Sequence, residues 1–363
     1  SRSVVTTDPP QDPNPVSKTP QANDWNLLPV FSRRLWRELL DEQVQLQAYT
    51  ERCRYTPLSL ADGSDGLGVI TTGIAHNYYL ENAAELETEP SCLHVGAYPL
   101  PVDKIRTLAE HSERILVLEE GYPFLERLLR GLLPTDLVIH GKLDGTLPRD
   151  GELDPDRVRA AMGLPAHDCK HDQPRSLPAR PPQLCQGCPH RDAFVALKQA
   201  LPASDASIVA GDIGCYTLGA LPPLSALESC VCMGASIGMA KGAAEAGMRP
   251  AVAVIGDSTF LHSGVTGLMD AAAADTDMTV LVLANEAVAM TGAQDSMTSG
   301  EQLLDVLRGL GVREDHLHVM DPMPQKHGEN VELIKREIEY PGLSVMIPTR
   351  ACIHLKRKQR QSV

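Results

Sequence analysis

The chain has 363 residues, of which 43% are hydrophobic and only 4% aromatic, and its formal net charge is −14. This length suffices for two ordinary domains with aliphatic cores. The negative charge argues against nucleic acid or an anionic membrane as main partner, and no apolar run is long enough for a transmembrane helix. The first residues lack the apolar core of a signal peptide, so we expect a cytoplasmic chain whose nine cysteines are thiols or metal ligands.

The first half of the sequence predicts a loose start followed by one α/β domain. Residues 1–30 are polar and rich in proline, which indicates a disordered or extended segment. Residues 31–65 predict a helical connector, because apolar residues recur at spacings of three and four. In residues 66–145 short apolar strands alternate with helices, which is typical of a parallel sheet. Residues 146–184 predict a linker that carries one short helix near 155–162.

A second α/β domain is predicted over residues 185–355, and residues 356–363 form a basic tail. The apolar runs at 252–255 (VAVI) and 280–283 (VLVL) suit strands that are buried on both faces of a sheet. The predicted fold class is therefore two parallel-sheet α/β domains. Functional groups are expected at the carboxyl ends of such strands.

Two polar residues follow consecutive predicted strands of this second domain. Asp257 comes directly after one strand and Asn285 after the next, 28 residues further on. A magnesium ion bound to a diphosphate takes a few hard oxygen ligands. A carboxylate from Asp257, the amide oxygen of Asn285 and the backbone carbonyl of Ala287 would supply them. The alternative is an ordinary strand-end aspartate and a turn asparagine.

Several ordered motifs resemble those of one enzyme family. The strings LCQGCPHR (184–191), GDIGCYTLG (211–219), CMGASIGMAKG (232–242), GDSTFLHSG (256–264) and NEAVAMTGAQ (285–294) occur in this order. They resemble the large subunit of indolepyruvate:ferredoxin oxidoreductase, a thiamine diphosphate-dependent 2-oxoacid oxidoreductase. The Gly-Asp-Ser and the distant Asn also resemble the general thiamine diphosphate motif. Ser258 replaces its third-position glycine and Glu286 its second asparagine, which points to a particular branch.

The resemblance implies a fold, an activity and a set of partners. The second domain would be a diphosphate-type thiamine diphosphate-binding fold, and the first would be similar to the transketolase C-terminal domain. The chemistry would be oxidative decarboxylation of an aryl 2-oxoacid such as indolepyruvate, with coenzyme A taking the acyl group and ferredoxin the electrons. A smaller partner subunit is expected. The expected cofactor-binding residues are Gly211, Asp212, Gly214, Tyr216, Thr217, Gly234, Ala235, Ser236, Gly256, Asp257, Ser258, Thr259, Asn285, Ala287, Ala289, Met290 and Thr291.

Four cysteines are candidate ligands of a [4Fe-4S] cluster. Cys185 and Cys188 form a CxxC, Cys215 lies in the GDIGC loop and Cys352 follows the last strand. Four thiolates on one rim can hold such a cluster, and related pyruvate and 2-oxoacid oxidoreductases use this order of cysteines. Structural zinc and a set without any metal are the alternatives.

Some residues near these motifs have both a functional and a structural interpretation. His190 and Arg191 are candidates for contact with the diphosphate or a substrate carboxylate, or they start a helix that faces solvent. Gly234, Ala235 and Ser236 begin a helix whose N-terminus suits phosphate, or their small size serves close packing.

Met290 is predicted to line a pocket for an aryl side chain, since thioethers make favourable contacts with aromatic rings. The alternative is that Met290 fills the core under its loop. His262 is a candidate for the cleft or a core histidine.

The family's large subunit also has parts that this sequence does not match. One is a domain that holds the aminopyrimidine of the cofactor, and another is a ferredoxin-like domain with repeated CxxCxxC. The family's activating glutamate lies in the first of them, so no catalytic residue is assigned. The alternatives to the oxidative enzyme are a non-oxidative decarboxylase or carboligase, which needs no thiolate cluster, and a truncated, inactive subunit.

Overall fold

The computed structural model describes Pro9, Asp12 and residues 25–61, 66–167, 181–203, 207–292, 294–296 and 300–355. The chain divides into two compact units, Ser1–Arg175 and Ser176–Val363. Most of the predicted extended segment, much of the predicted linker and the basic tail lie outside the described residues. Within the described part, no helix has the length and apolar character needed to cross a membrane.

Unit 1 is built around a five-stranded sheet with the order β1-β3-β2-β4-β5. Its edge strand β1 is antiparallel and the other pairs are parallel. The strands are β1 (Leu58–Ser59), β2 (Leu67–Thr72), β3 (Ser91–Val95), β4 (Arg114–Leu118) and β5 (Val138–His140). The helices are α1 (Pro29–Arg52), α2 (Ala75–Ala83), α3 (Val102–Glu110), α4 (Phe124–Leu132) and α5 (Pro155–Ala161).

Three features of this unit differ from the predicted segments. Helix α1 begins at Pro29, inside the segment predicted to be extended, and the helical connector contains strand β1. Helix α5 belongs to unit 1 rather than to a linker. The side-chain amide of Asn82 on α2 donates to the carbonyl of Pro155, and Arg159 pairs with Glu85 at 2.7 Å. Periodicity reveals a helix but not the sheet that it covers, which explains the error.

Unit 2 contains a six-stranded parallel sheet with the order β12-β13-β9-β8-β6-β7, and a separate antiparallel pair β10-β11. The strands are β6 (Ile208–Gly211), β7 (Ser229–Cys230), β8 (Ala251–Gly256), β9 (Met278–Leu283), β10 (Ala287–Val288), β11 (Gln294–Asp295), β12 (Leu317–Met320) and β13 (Leu343–Pro348). The helices are α6 (Pro189–Ala200), α7 (Ala235–Glu245), α8 (Asp257–Thr259), α9 (Val265–Ala273), α10 (Gly300–Gly309) and α11 (His327–Glu339). The predicted fold class is confirmed.

The order of the strands fixes where a ligand can bind to unit 2. Every residue of β8 and β9 is buried, as their uninterrupted apolar sequences predict. The chain leaves β6 toward β7 on one side, whereas β8 lies on the other side. In an open parallel sheet the crevice outside the carboxyl ends of strands at such a switch point is the usual ligand site. Asp212, Asp257 and Asn285 all follow strands at this crevice.

Candidate cofactor site and thiol cavity

A cleft of about 360 Å³ opens at the carboxyl ends of β6, β8 and β9. It is lined by many of the predicted cofactor-binding residues, namely Gly214, Tyr216, Gly256, Asp257, Ser258, Thr259, Asn285, Ala287, Ala289, Met290 and Thr291. The others do not line it: Gly211, Asp212, Thr217, Gly234, Ala235 and Ser236. Most of the wall is apolar, and the polar groups concentrate where β8 and β9 end.

Asp257 is the central polar residue of the cleft. Only 6% of it is exposed. Its Oδ1 accepts a hydrogen bond from the backbone N–H of Ser258, and its Oδ2 accepts from those of Asn285 and Glu286, both at 3.3 Å. Burial raises the pKa of this carboxyl group, and the backbone N–H donors offset part of that shift. Backbone dipoles therefore supply most of the compensation for this desolvated carboxylate.

The side-chain amide of Asn285 is held by two hydrogen bonds, one that it accepts and one that it donates. Its Oδ1 accepts from the backbone N–H of Ala287 at 3.2 Å, and its Nδ2 donates to Nε2 of His190 at 3.0 Å. Burial, together with the nearby charge of Arg350, lowers the pKa of His190 to about 4. A neutral His190 with its proton on Nδ1 is thus the form that accepts the bond from Asn285. Both polar ends of the Asn285 amide are consequently fixed.

Glu286 makes the turn that carries the chain from β9 into the cleft wall. Its φ is +61°, in the left-handed region that is costly for a residue with a side chain other than Asn or Asp. The hydrogen bond from its backbone N–H to Asp257 helps to hold this conformation. The side chain of Glu286 is exposed. The residue that departs from the family motif therefore shapes the turn through its backbone.

Tyr216 forms the floor of the cleft by packing against residues without side chains. Its hydroxyl donates to the carbonyl of Ile213 at 3.0 Å, and its ring lies edge-on to His190 with centroids 5.9 Å apart. A Cβ on Gly256 would come within 2.7 Å of the ring, and one on Gly214 within 2.3 Å. Both glycines are therefore required for the ring to occupy this place.

Asp212 occupies the helix N-terminus that was predicted to receive phosphate. Its carboxylate accepts from the backbone N–H of Gly234 at 2.9 Å and of Ser236 at 3.0 Å, while that of Ala235 donates to Cys232. The start of α7 is thus already paired with an internal anion. A phosphate role for these three residues stays a prediction, but the backbone N–H groups of Gly234 and Ser236 hold the GDIGC loop in this structure.

The four candidate cluster cysteines line a second, smaller cavity of about 90 Å³, which we call the thiol cavity. Cys188 and Cys352 are buried, Cys215 is half-buried and Cys185 is exposed. Burial, followed by the proximity of the other thiols, raises the pKa of Cys215 to about 11, and burial likewise raises that of Cys188. Nε2 of His354 lies 3.4 Å from Sγ of Cys185. Sequence reasoning did not single out His354.

No group of three or more His, Cys, Asp or Glu among the described residues is arranged to hold a metal ion. The four thiols therefore share a cavity without the close packing of a single-ion site. Their role as cluster ligands stays a prediction.

The cleft and the thiol cavity share one wall. His190, Cys215, Asn285 and Ala289 line both of them. In addition, the backbone N–H of Cys352 donates to the carbonyl of Asn285 at 3.0 Å. A group bound in the cleft and a group held by the thiols would accordingly be separated by the thickness of a single layer of side chains.

Other predicted residues lie elsewhere. Arg191 is exposed and lines neither cavity, so a direct contact between it and the cofactor receives no support. His262 is exposed and hydrogen-bonded to Ser263, which makes the core interpretation wrong, and it does not line the cleft. Met290 is 65% exposed at the cleft, which excludes its alternative role as core filling.

Known proteins that resemble this chain include a family of cofactor-binding domains, and its matched segment contains most of the cleft residues of unit 2. The family described as "Thiamine pyrophosphate enzyme, C-terminal TPP binding domain" matches residues 212–313. The indolepyruvate oxidoreductase subunit IorA of Methanothermobacter thermautotrophicus is 33% identical over 350 residues, which span 90% of this chain and 56% of that subunit. The IorA subunit of Pyrococcus abyssi is 31% identical over 369 residues, with 90% and 55% covered. The resemblance to indolepyruvate oxidoreductase large subunits is confirmed.

The chain spans just over half the length of these IorA relatives. Among solved structures, a 2-oxoglutarate:ferredoxin oxidoreductase from Magnetococcus marinus aligns with 48% of this chain and 66% of its own at 19% identity. The TM-score of that alignment is 0.39.

Gly234 and Gly238 provide a matched test of the loop that precedes α7. Gly234 has φ +87°, and a Cβ there would lie 2.5 Å from the carbonyl oxygen of Ser263. We expect Gly234→Ala to destabilise the chain by about 1–3 kcal/mol in urea unfolding, because a side chain strains this conformation. Gly238→Ala, where nothing lies within 4 Å, should be neutral or stabilising by about 0.5–1 kcal/mol. Equal stabilities of the two variants would contradict this account of the loop.

Proposed function

We propose that this chain is the diphosphate-binding part of a thiamine diphosphate- and Mg²⁺-dependent 2-oxoacid oxidoreductase. The observation that carries the proposal is the convergence of Asp257 and Asn285 at one cleft, within a segment that matches a thiamine pyrophosphate-binding domain. The reaction would be oxidative decarboxylation of an aryl 2-oxoacid of the indolepyruvate class. Ferredoxin would accept the electrons and coenzyme A the acyl group, in the cytoplasm.

The donor set at the ends of β8 and β9 fits Mg²⁺. The Asp257 carboxylate is buried, and three backbone N–H groups donate hydrogen bonds to it. A divalent cation would offset the desolvation that raises the pKa of this group. Asn285 Oδ1 retains a second lone pair beside the one used by Ala287. Hard oxygens from a carboxylate, an amide and a backbone carbonyl are ligands that Mg²⁺ accepts.

The remaining cleft residues fit a diphosphate and the apolar rings of its carrier. The buried hydroxyl of Ser258, which lines the cleft, has no hydrogen-bond partner within the described protein. Such an unpaired polar atom is costly unless a ligand completes its bonding. Apolar side chains, including Val288 and Met290, line other parts of the wall. When bound, thiamine diphosphate would supply the electron sink for decarboxylation, whereas the protein's own residues bind, orient and exclude water.

Asp257→Ala should abolish Mg²⁺-dependent binding of thiamine diphosphate to this chain. Loss of the carboxylate removes an anionic ligand and leaves the diphosphate–metal pair without its anchor, so the affinity should fall by at least about tenfold, since bonds to a charged group are worth about 1.5–3 kcal/mol. Isothermal titration calorimetry with thiamine diphosphate, with and without Mg²⁺, measures this effect. Asp270→Asn, an exposed carboxylate on α9 that pairs with Lys241, is the control and should bind normally. Equal affinity of Asp257→Ala and the parent chain would refute the assignment.

We further propose that the four thiols hold a [4Fe-4S] cluster. The support is their common cavity and its shared wall with the cleft. A cluster of four irons is wider than a single ion, so its thiolates stand farther apart than around zinc. Structural zinc, which needs its four donors closer together, is the alternative. Electrons released in the cleft would then reach an acceptor across the wall formed by His190, Cys215, Asn285 and Ala289.

Chemical analysis of anaerobically prepared protein tests the cluster. We expect iron and acid-labile sulfide in the parent chain, and an absorbance band in the visible region that reductant bleaches. Cys185→Ser should lose most of both, because serine oxygen is a poor replacement for a thiolate ligand. Cys230→Ser, another exposed thiol of unit 2 that does not line the thiol cavity, should retain them. Equal iron in both variants would count against these ligands and would favour the rival assignment, a non-oxidative decarboxylase or carboligase.

The substrate class and the partners extend beyond this chain. The two relatives described above are named indolepyruvate oxidoreductase subunits, and the matched region is just over half of their length. We propose that a smaller subunit, and the parts of the enzyme outside this chain, complete the site and supply the activating glutamate. An inactive, truncated subunit is the alternative, and assay of the chain with and without its partner separates the two.

We propose that Met290 contributes to selection of an aryl side chain. It lies on the loop after Asn285, lines the cleft and is 65% exposed toward it or the solvent. Its flexible thioether makes sulfur–aromatic contacts worth about 0.3–1.5 kcal/mol.

Met290→Asn should lower the turnover of indolepyruvate and phenylpyruvate more than that of pyruvate. Loss of a contact worth about 0.3–1.5 kcal/mol corresponds to a change of about twofold to tenfold in kcat/KM. The assembled enzyme is needed for this steady-state measurement. Met290→Leu, which keeps the size and apolar character, is the control and should retain most of the preference. Equal losses for all three substrates would show that Met290 does not select among them.

A further inference from the structure

The four cysteines of the thiol cavity come from three separate segments of unit 2. Cys185 and Cys188 lie in the loop before α6, Cys215 follows β6, and Cys352 follows β13. A multi-thiol site assembles only if such segments are held at the right separation. The segment around Cys352 must therefore be held at a fixed distance from the CxxC loop.

Backbone hydrogen bonds join the Cys352 segment to the ends of neighbouring strands, among them a bond from the N–H of Thr349 to the carbonyl of Met320 at the end of β12. The backbone N–H of Arg350 donates to Ala284 at 3.1 Å, and that of Cys352 donates to Asn285 at 3.0 Å. Both bonds lead to the end of β9 and not to the CxxC loop. The Cys352 segment also forms hydrogen bonds with the CxxC loop and the start of α6. Each of these bonds, among the described residues 181–203 and 300–355, involves a side chain.

Arg350 makes most of these side-chain connections. Its Nη2 donates to Oδ2 of Asp192 at 2.6 Å and to the carbonyl of Gly187 at 3.4 Å, and its Nη1 donates to the carbonyl of Pro322 at 3.1 Å. Gly187 lies between the two cysteines of the CxxC motif, and Asp192 lies in the first turn of α6. One guanidinium group therefore joins the CxxC loop, the start of α6 and the loop after β12.

The surroundings of this ion pair make it stronger than an exposed one. The side chains of Arg350 and Asp192 are 18% and 27% exposed. Partial burial weakens solvent screening of the pair, and charge-assisted bonds are about twice as strong as neutral ones. The branched, planar donor group of arginine reaches several acceptors at fixed angles, which the single point charge of lysine does not.

We infer that Arg350, through Asp192 and the Gly187 carbonyl, is a positioning residue that sets the distance between the CxxC loop and Cys352. It prepares the thiol cavity before any metal is present. The inference rests on the proposed cluster for its purpose, but the positioning itself is a property of the metal-free chain. Arg350 lines neither the cleft nor the thiol cavity, so it acts through the loop that it holds.

Thiol cross-linking in the metal-free, reduced chain tests the inference. A short bifunctional thiol reagent is added, and the yield of the peptide pair joined through Cys185 and Cys352 is measured by mass spectrometry. We expect a clear yield for the parent chain, and a yield at least about tenfold lower for Arg350→Gln and Asp192→Asn, as follows from loss of a bond to a charged group. Arg350→Lys should fall between them and the parent.

Arg308→Gln is the matched control. Arg308 is another arginine of unit 2, and its guanidinium binds Glu314 at 2.9 Å. Its replacement removes an ion pair without touching the thiol cavity, so the cross-linking yield should equal that of the parent. Circular dichroism verifies that each variant is folded. If Arg350→Gln does not fold, Asp192→Asn decides, because it leaves the other two hydrogen bonds of Arg350 in place.

The outcomes separate this inference from the cluster proposal. Undiminished cross-linking in folded Asp192→Asn or Arg350→Gln would overturn the inference, as would a parent chain that gives no cross-link. Iron and sulfide are measured in parallel after anaerobic reconstitution. A parent that cross-links but binds no iron would refute the cluster and leave the positioning role intact, whereas loss of cross-linking together with loss of iron in Arg350→Gln supports both.

Discussion

The candidate site depends on one interaction. The carboxylate of Asp257 accepts hydrogen bonds from the backbone at the end of the neighbouring strand. It joins the end of β8 to the end of β9, since its donors include the N–H groups of Asn285 and Glu286. One of these bonds helps to hold the left-handed turn at Glu286, and the side-chain amide of Asn285 is then fixed by Ala287 and His190. A carboxylate this buried is stable only with such compensation. The same requirement makes it a natural place for a cation.

From this point the arrangement extends to the thiols through a short series of contacts. Asn285 donates to His190, which lies two residues after Cys188, and accepts from the backbone N–H of Cys352 through its carbonyl. Arg350 then binds the loop between the two cysteines of the CxxC motif. The cleft and the thiol cavity are therefore parts of one connected structure. For the proposed oxidoreductase, this adjacency would keep the electron path short.

The GDIGC loop is held by a separate set of interactions that serve the same geometry. Asp212 binds the start of α7, while Thr217 donates to the Asp212 carbonyl at 2.6 Å. This pairing places Cys215 at the wall between the two cavities and Tyr216 on the floor of the cleft. The motif that resembles a cofactor-binding sequence thus contributes largely by fixing its own loop. Motif matches identify such residues but do not tell direct ligands from those that position them.

The sequence by itself determined the fold class, the two buried strands and the pairing of Asp257 with Asn285, because apolar periodicity and strand-end placement are local properties. Only the tertiary structure decided that α5 packs on unit 1, that Asp212 occupies the start of α7, and that Arg191 and His262 stand apart from the cleft. The contacts of Arg350 and His354 with the region of the CxxC motif were equally invisible, since these partners lie 158 to 169 residues away along the chain. Local patterns specify which elements form, whereas the order of strands in the sheet decides which distant side chains meet.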